Sequence, residues 1–174
     1  MINFHQNHFE LFGLPARFHL ELAQLEQAYR GIQSQVHPDR FVHASDAERR
    51  ASMQSATHVN EAYRTLKNPL ARARYLLALH RVDVQSENNT AMPAEFLQEQ
   101  MQWRESVEEA TDQPDALAAL ALRLGREMAE HYAQLERRLD SEGDDAHAAD
   151  SVRKLMFLER LREEIGDALE RSDA

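Results

Sequence analysis

The chain has 174 residues, 20 Lys+Arg against 30 Asp+Glu for a net charge of −10, and no cysteine. Without Cys, thiol catalysis, a disulfide framework, Cys-ligated zinc and a thiolate-held iron–sulfur cluster are excluded, leaving oxygen and imidazole chemistry. The length and 43% hydrophobic content allow one large domain or two small ones, while only five Gly and five Pro for turns and an excess of Ala, Leu, Glu, Gln and Arg point to an all-α protein.

In chain order, a first helical turn is predicted over Asn7 to Leu11, closed by Phe12-Gly13-Leu14-Pro15, with Gly13 left-handed and Pro15 blocking continuation. From about Leu20 to Val36, Leu22, Leu25, Tyr29, Ile32 and Val36 recur every three or four residues, the mark of a one-faced helix. Pro38 ends it near His37. A loop, Pro38 to Ala44, leads to Ser45-Asp46-Ala47-Glu48, spaced as a capping box. The helix it opens should reach Lys67 with Met53, Ala56, Asn60, Tyr63 and Leu66 on one stripe, before Asn68-Pro69 starts a shorter helix through Leu70, Ala73, Leu76, Leu77 and His80.

Residues 81–92 (RVDVQSENNTAM) lose this periodicity. They are read as a linker between residues 1–80, a helix hairpin with short flanking helices, and residues 93–174, a three-helix bundle. The bundle's helices are predicted at about Pro93 to Ala110, Pro114 to Leu139 and Ala146 to Glu170, joined by short connections that favour antiparallel packing. The middle one carries Leu117, Leu120, Leu124, Met128, His131, Leu135 and Leu139 along one side. In the first, Phe96, Trp103, Val107 and Ala110 form the core stripe, while Leu97 and Met101 start a second apolar stripe that runs into Glu105 and Glu109. A buried helix does not need that second patch. In the last, Val152, Leu155, Leu158, Ile165 and Leu169 follow the core. Phe157 stands about 100° from Leu158 and can join Leu97 and Met101 in one exposed surface, or pack at the bundle edge.

Charge divides with the helices. Residues 1–80 hold 9 Lys+Arg and 7 Asp+Glu; residues 81–174 hold 11 and 23. No continuous basic face exists, so nucleic acid is not an expected partner. No phosphate-cradling glycine loop occurs, and no cofactor or bound nucleotide is expected. No apolar run approaches the roughly 18 residues of a spanning helix, and MINFHQNHFE lacks a signal-peptide layout, so a soluble, cytoplasmic protein without membrane association is expected. Nine histidines invite a metal-dependent enzyme, but His5-x-x-His8 has neither Cys nor a third nearby ligand. Glu108-Glu109 and Asp144-Asp145 read as solvated charge and not as an acid/base pair. No metal site and no catalytic residue is assigned.

The most specific local feature is His37-Pro38-Asp39 at a helix end, where a rigid proline aims an imidazole and a carboxylate outward. Ala28-Tyr29-Arg30, then His37-Pro38-Asp39-Arg40, then Asn60-Glu61-Ala62-Tyr63-x-x-Leu66 with Arg72 and Tyr75, resemble the second helix, signature loop and third helix of J domains, the modules that activate heat-shock protein 70 class ATPases. Leu11-Phe12-Gly13-Leu14-Pro15, Arg72-x-x-Tyr75-Leu76-Leu77 and Val152-Arg153-Lys154-Leu155-x-Phe157-Leu158 extend the resemblance to the HscB family of J-type co-chaperones over nearly the whole chain. That resemblance implies a J domain at residues 1–80, a scaffold-binding bundle at 93–174 and no active site of the chain's own. It implies stimulation of an HscA-type ATPase through Tyr29, Arg30, His37, Pro38, Asp39 and Arg40. It also implies delivery of an IscU-type iron–sulfur scaffold held by Leu97, Gln98, Met101, Glu105, Glu109 and Phe157. Gln98 stands where relatives can carry Met, and only Arg30 is basic between Leu20 and Val36, with Arg40, Arg49 and Arg50 available to compensate. A J-type protein whose bundle recruits a different client has the same features.

Overall fold

A computed structural model describes residues 3–41, 44–84 and 94–172. As the sequence predicts, every regular element among them is helical: α1 (His8–Leu11), α2 (Leu22–Val36), a 3₁₀ turn (Pro38–Phe41), α3 (Asp46–Lys67), α4 (Pro69–Leu79), α5 (Ala94–Ala110), α6 (Pro114–Arg137), a π turn (Arg138–Glu142) and α7 (Asp145–Ser172). The chain divides into two compact units, Met1–Leu76 and Leu77–Ala174. Of the linker assigned to 81–92, residues 85–92 lie outside the described residues, as does Pro93.

In the first unit, Asn7 and Glu10 cap α1 reciprocally, each side chain accepting the other's backbone N–H at 2.9 Å. Gly13 adopts φ +65°, the left-handed value that reverses the chain after so short a helix. The turn packs on α3 and α4: the His8 N–H donates to the Tyr75 hydroxyl at 3.0 Å, and the two rings stack with centroids 4.2 Å apart. Burial, with the neighbouring His58 charge adding to it, pushes the His8 imidazole below the usual histidine range. The unit's core gathers Phe9, Phe12, Phe18, Leu25, Val59, Ala62, Leu66, Ala73 and Leu76.

Two stripe assignments shift. Leu22, placed on the inner face of α2, is 47% exposed, because Glu21 is the extended N-cap and Leu22 only opens the first turn. On α3 the buried line is Ser52, Ser55, Val59, Ala62 and Leu66: Leu66 lies where the pattern puts it, the others lie one position before the expected Met53, Ala56, Asn60 and Tyr63, and Met53 is 60% exposed. Asn60 and Tyr63 are half-buried instead, flanking that line where they meet Tyr29 of α2. Small serines on the central line allow the hairpin to close where a longer side chain would hold it apart.

In the second unit α6 is the middle member. Trp103 and Glu99 of α5 meet Arg123 and Glu127 of α6 in reversed order, and Tyr132 and Arg138 reach Glu159 and Ser151 of α7 in the same reversed sense. Both pairings are therefore antiparallel. Phe96, Trp103, Leu117, Leu124, Leu135, Val152, Leu155, Leu158 and Ile165 are each at most 2% exposed and form the core, with Ala148, Ala149, Leu161 and Ala168 closing it from α7. Burying so many large apolar side chains, at about 25 cal/mol per Å² removed from water, is the main favourable term for this unit.

The connection expected between Leu139 and Ala146 is tighter than predicted. The α6 helix widens into a π turn, Gly143 reverses the chain at φ +65°, and Asp144 caps α7 by accepting the His147 N–H at 3.2 Å. That backbone bond, with the His147 ring contributing, holds the Asp144 carboxyl below the usual aspartate value.

The capping box at α3 also forms: Ser45 Oγ accepts the Glu48 N–H at 3.3 Å, and the Glu48 carboxylate accepts from the Ser45 hydroxyl at 2.7 Å and from the Ser45 N–H at 2.9 Å, the hydroxyl first and the N–H second holding that carboxyl below its ordinary range. Replacing Ser45 by Ala is expected to cost about 1 kcal/mol, seen as a lower urea midpoint at unchanged m-value. Both depressed carboxyls favour the folded state above their unfolded values and lose that contribution as pH falls through their folded ones. Acid titration of Ser45→Ala should therefore show a shallower loss of stability below about pH 4.5 than the parent chain.

Candidate partner-binding surfaces

The first surface begins where α2 must stop. Pro38 has no N–H to continue the helix, so carbonyls at the end of α2 need other partners. Ser52 Oγ, buried on α3, donates to the Val36 carbonyl at 2.7 Å. Two turns earlier the Tyr29 ring stacks on Tyr63 with centroids 4.1 Å apart, while its hydroxyl donates to Asn60 Oδ1 and accepts from Gln33 Nε2, both at 2.9 Å. Tyr29 is thus half-buried and tied into the hairpin, whereas Arg30, His37, Asp39 and Arg40 are exposed.

Beyond these ties the 3₁₀ turn presents its polar groups. The His37 and Asp39 side chains are 50% and 86% exposed. The Asp39 N–H donates to His37 Nδ1 at 3.3 Å, and the Asp39 carboxylate lies 3.5 Å from the same nitrogen. When Nδ1 accepts, the ring hydrogen sits on Nε2, so imidazole donor and carboxylate acceptor are held two residues apart on one short turn. Arg40 is exposed and braces the turn by donating to the Ser34 carbonyl at 3.1 Å. Arg30 is 78% exposed and 3.7 Å from Glu26. Arg49 pairs with Asp46, while Arg50 is exposed beside it.

The second surface lies on α5. Leu97 and Met101, one turn apart, are 50% and 62% exposed, although Phe96 beside Leu97 is 2% exposed. Gln98, Glu105 and Glu109 are exposed on the same outer side. Phe157 of α7 is half-buried and meets Phe96 edge-to-face, with centroids 5.9 Å apart and planes at 87°. It combines both sequence readings: it packs at the bundle edge and leaves part of its ring to solvent. The structure links Phe157 to α5 through Phe96, the chain neighbour of Leu97, and brings Leu97 and Met101 together directly on one helical stripe.

Several residues that shape these surfaces escape sequence reading. Ser52 looks like an ordinary helical serine, and its spacing from Val36 carries no signal. Lys154 lies 3.7 Å from Glu99 and 5.3 Å from the Phe96 ring centre, and so ties α7 to the root of the α5 surface. Beside Glu99, burial and the neighbouring Glu99 carboxyl raise the Glu127 carboxyl, while burial and the Lys154 charge lower the His131 imidazole. His131 thus belongs to a polar seam between helices. Among the described residues, no three His, Asp or Glu side chains converge in a way that could hold a metal ion, and no helix is long and apolar enough to cross a membrane.

Comparison with known proteins bears on both surfaces. A family profile described as the HSCB C-terminal oligomerisation domain matches residues 92–166. A curated "Co-chaperone protein HscB homolog" from Azoarcus sp. (strain BH72) is 52% identical over 171 residues, 97% of each chain. Its counterpart in Burkholderia mallei (strain SAVP1) is 53% identical over 173 residues, 98% of each chain. Among solved structures, chaperone HscB from Vibrio cholerae aligns with a TM-score of 0.85 and 36% identity over 96% of this chain and 99% of that one. Human co-chaperone HscB aligns with a TM-score of 0.89 and 27% identity over 95% and 83%.

The tie at Tyr29 generates a stability test. Tyr29→Phe keeps the stack on Tyr63 but removes the hydroxyl that bridges Gln33 and Asn60, and should cost about 1 kcal/mol in urea unfolding. A change near zero would mean that the hydroxyl contributes nothing to closing the hairpin.

Proposed function

This chain belongs to the HscB family of J-type co-chaperones, and on that premise we propose that it stimulates the ATPase of an HscA-type chaperone with its first unit and hands that chaperone an IscU-type iron–sulfur scaffold held by its second. The observation that carries the reading is the exposure, in each unit, of a few side chains on buried supports: His37 and Asp39 stand out from a hairpin closed by Ser52 and Tyr29, and Leu97 and Met101 stand out from a helix whose other side is core.

The tip acts as a trigger by geometry. A chaperone ATPase that reads this turn meets a donor and an anion prearranged on one 3₁₀ turn, so little ordering entropy opposes docking. His37, Pro38, Asp39 and Arg40 make the contact, with Arg30 on the adjoining α2 surface. Tyr29 serves the same contact from inside, by keeping α2 against α3. Because α2 carries Arg30 as its one basic residue, electrostatic steering relies on Arg40, Arg49 and Arg50 as well.

The α5 surface has the anatomy of a modest interface: apolar anchors at Leu97, Met101 and Phe157, with Gln98, Glu105 and Glu109 forming a polar rim. The chain itself supplies no thiolate, so a cluster carried by the scaffold remains on the scaffold while this protein holds the scaffold's surface.

His37→Gln is expected to abolish stimulation of HscA turnover while scaffold binding and helicity stay intact; full stimulation by that variant would sink the trigger assignment. Phe157→Ala should weaken the scaffold complex by about 1 to 3 kcal/mol and spare scaffold-independent stimulation. Turnover measured with this protein and IscU, separately and together, should rise more than additively. If IscU fails to bind while stimulation persists, the second unit serves a different client.

A further inference from the structure

We infer that Met101 is an oxidation site on the docking surface, whose conversion to methionine sulfoxide by hydrogen peroxide weakens the grip on the scaffold. The inference rests on the α5 docking reading above and adds a form of regulation to it.

The chain has no cysteine, so the thiols that normally intercept peroxides first are absent and the thioethers of its six methionines are its softest groups. Their exposure separates them. Met128 is 3% exposed in the bundle core and Met156 is half-buried, whereas Met53 and Met101 are 60% and 62% exposed; Met1 and Met92 lie outside the described residues. Met53 and Met101 therefore offer similar access but differ in place. Met53 lies on α3 of the first unit, and Met101 lies one turn from Leu97 on the apolar stripe of α5.

The chemistry balances without any group beyond the oxidant. The sulfur lone pair attacks one peroxide oxygen, the O–O bond breaks, one oxygen stays on sulfur, and the other leaves with the protons as water. Sulfur loses two electrons and the peroxide gains them. Methionine sulfoxide reductases, drawing on a thiol reductant, return the oxygen as water and restore the thioether. On the protein the product replaces a flexible apolar end with a strong S–O dipole at the centre of the proposed contact. There it must either stay hydrated and keep the scaffold off, or lose its water unpaired. The carboxylates of Glu105 and Glu109 that continue the stripe are acceptors and cannot satisfy the new oxygen.

The test treats the purified full chain with hydrogen peroxide, removes the excess with catalase, and measures IscU affinity by calorimetry alongside peptide mass mapping. The expected result is sulfoxide at Met53 and Met101 with Met128 spared, and scaffold affinity reduced about five- to tenfold. Each chain is compared with its own untreated form: the affinity of Met101→Leu, whatever its untreated value, should not fall on peroxide treatment, while Met53→Leu should lose as much affinity as the parent does. Undiminished affinity of an oxidised chain that carries Met101 sulfoxide, or equal loss in oxidised Met101→Leu, overturns the inference while leaving the docking reading in place. Failure of the untreated parent to bind IscU overturns the docking reading and the inference with it.

Discussion

The hydrogen bond from Ser52 to the carbonyl of Val36 is the interaction on which the first unit turns. A proline two residues after Val36 leaves α2 unable to satisfy its own end, and an unpaired buried carbonyl would cost about 1 to 3 kcal/mol. Placing a small donor on α3 at that point does two things together: it terminates α2 without strain and fixes α3 close against it. The Tyr29–Tyr63 stack and the Tyr29–Asn60 bond repeat the clamp about two turns further from the tip along α2. The exposed turn is consequently held at its base and open at its apex.

The second unit meets a different constraint, since α5 must face two ways. One side supplies Phe96, Trp103 and Ala110 to a dry core, and the opposite side leaves Leu97 and Met101 in water. Exposed apolar side chains contribute nothing to folding and invite unwanted association. Their surroundings temper that tendency: the second half of the chain carries 23 acidic residues against 11 basic ones, and like-charged copies repel one another. Phe157 adds to the outer surface at little entropic cost because its ring already leans on buried Phe96. The acidic surroundings thus lower the tendency of the exposed Leu97 and Met101 to associate non-specifically.

Polar groups between the helices add orientation to apolar packing. The contact of Lys154 with both Glu99 and the Phe96 ring, the Arg123 guanidinium 4.4 Å from the Trp103 ring centre, and the Tyr132–Glu159 bond at 3.0 Å each fix one helix against another where a purely apolar seam would slide. The first unit has a counterpart in Arg72, which is 7% exposed, donates to the Leu66 carbonyl at 2.5 Å and lies 5.0 Å from the Phe18 ring centre.

By itself the sequence determined the helical class, the starts and stops of most helices, the exposed His37-Pro38-Asp39 turn and the two-faced character of α5. Each of these rests on local physics: a proline lacks a donor wherever it stands, a Ser-x-x-Glu box closes on its own backbone, and the 3.6-residue period sorts apolar from polar faces within one helix. Only the tertiary structure decided that Ser52 and not Met53 lies on the buried line of α3, that Leu22 faces solvent, that Tyr29 is a clasp half inside the hairpin, and that Phe157 rests on Phe96. A helix's own pattern gives the direction of its apolar face to within about one residue, or 100°. The rotation finally chosen depends on how closely the neighbouring helix can approach, and that is a property of the pair.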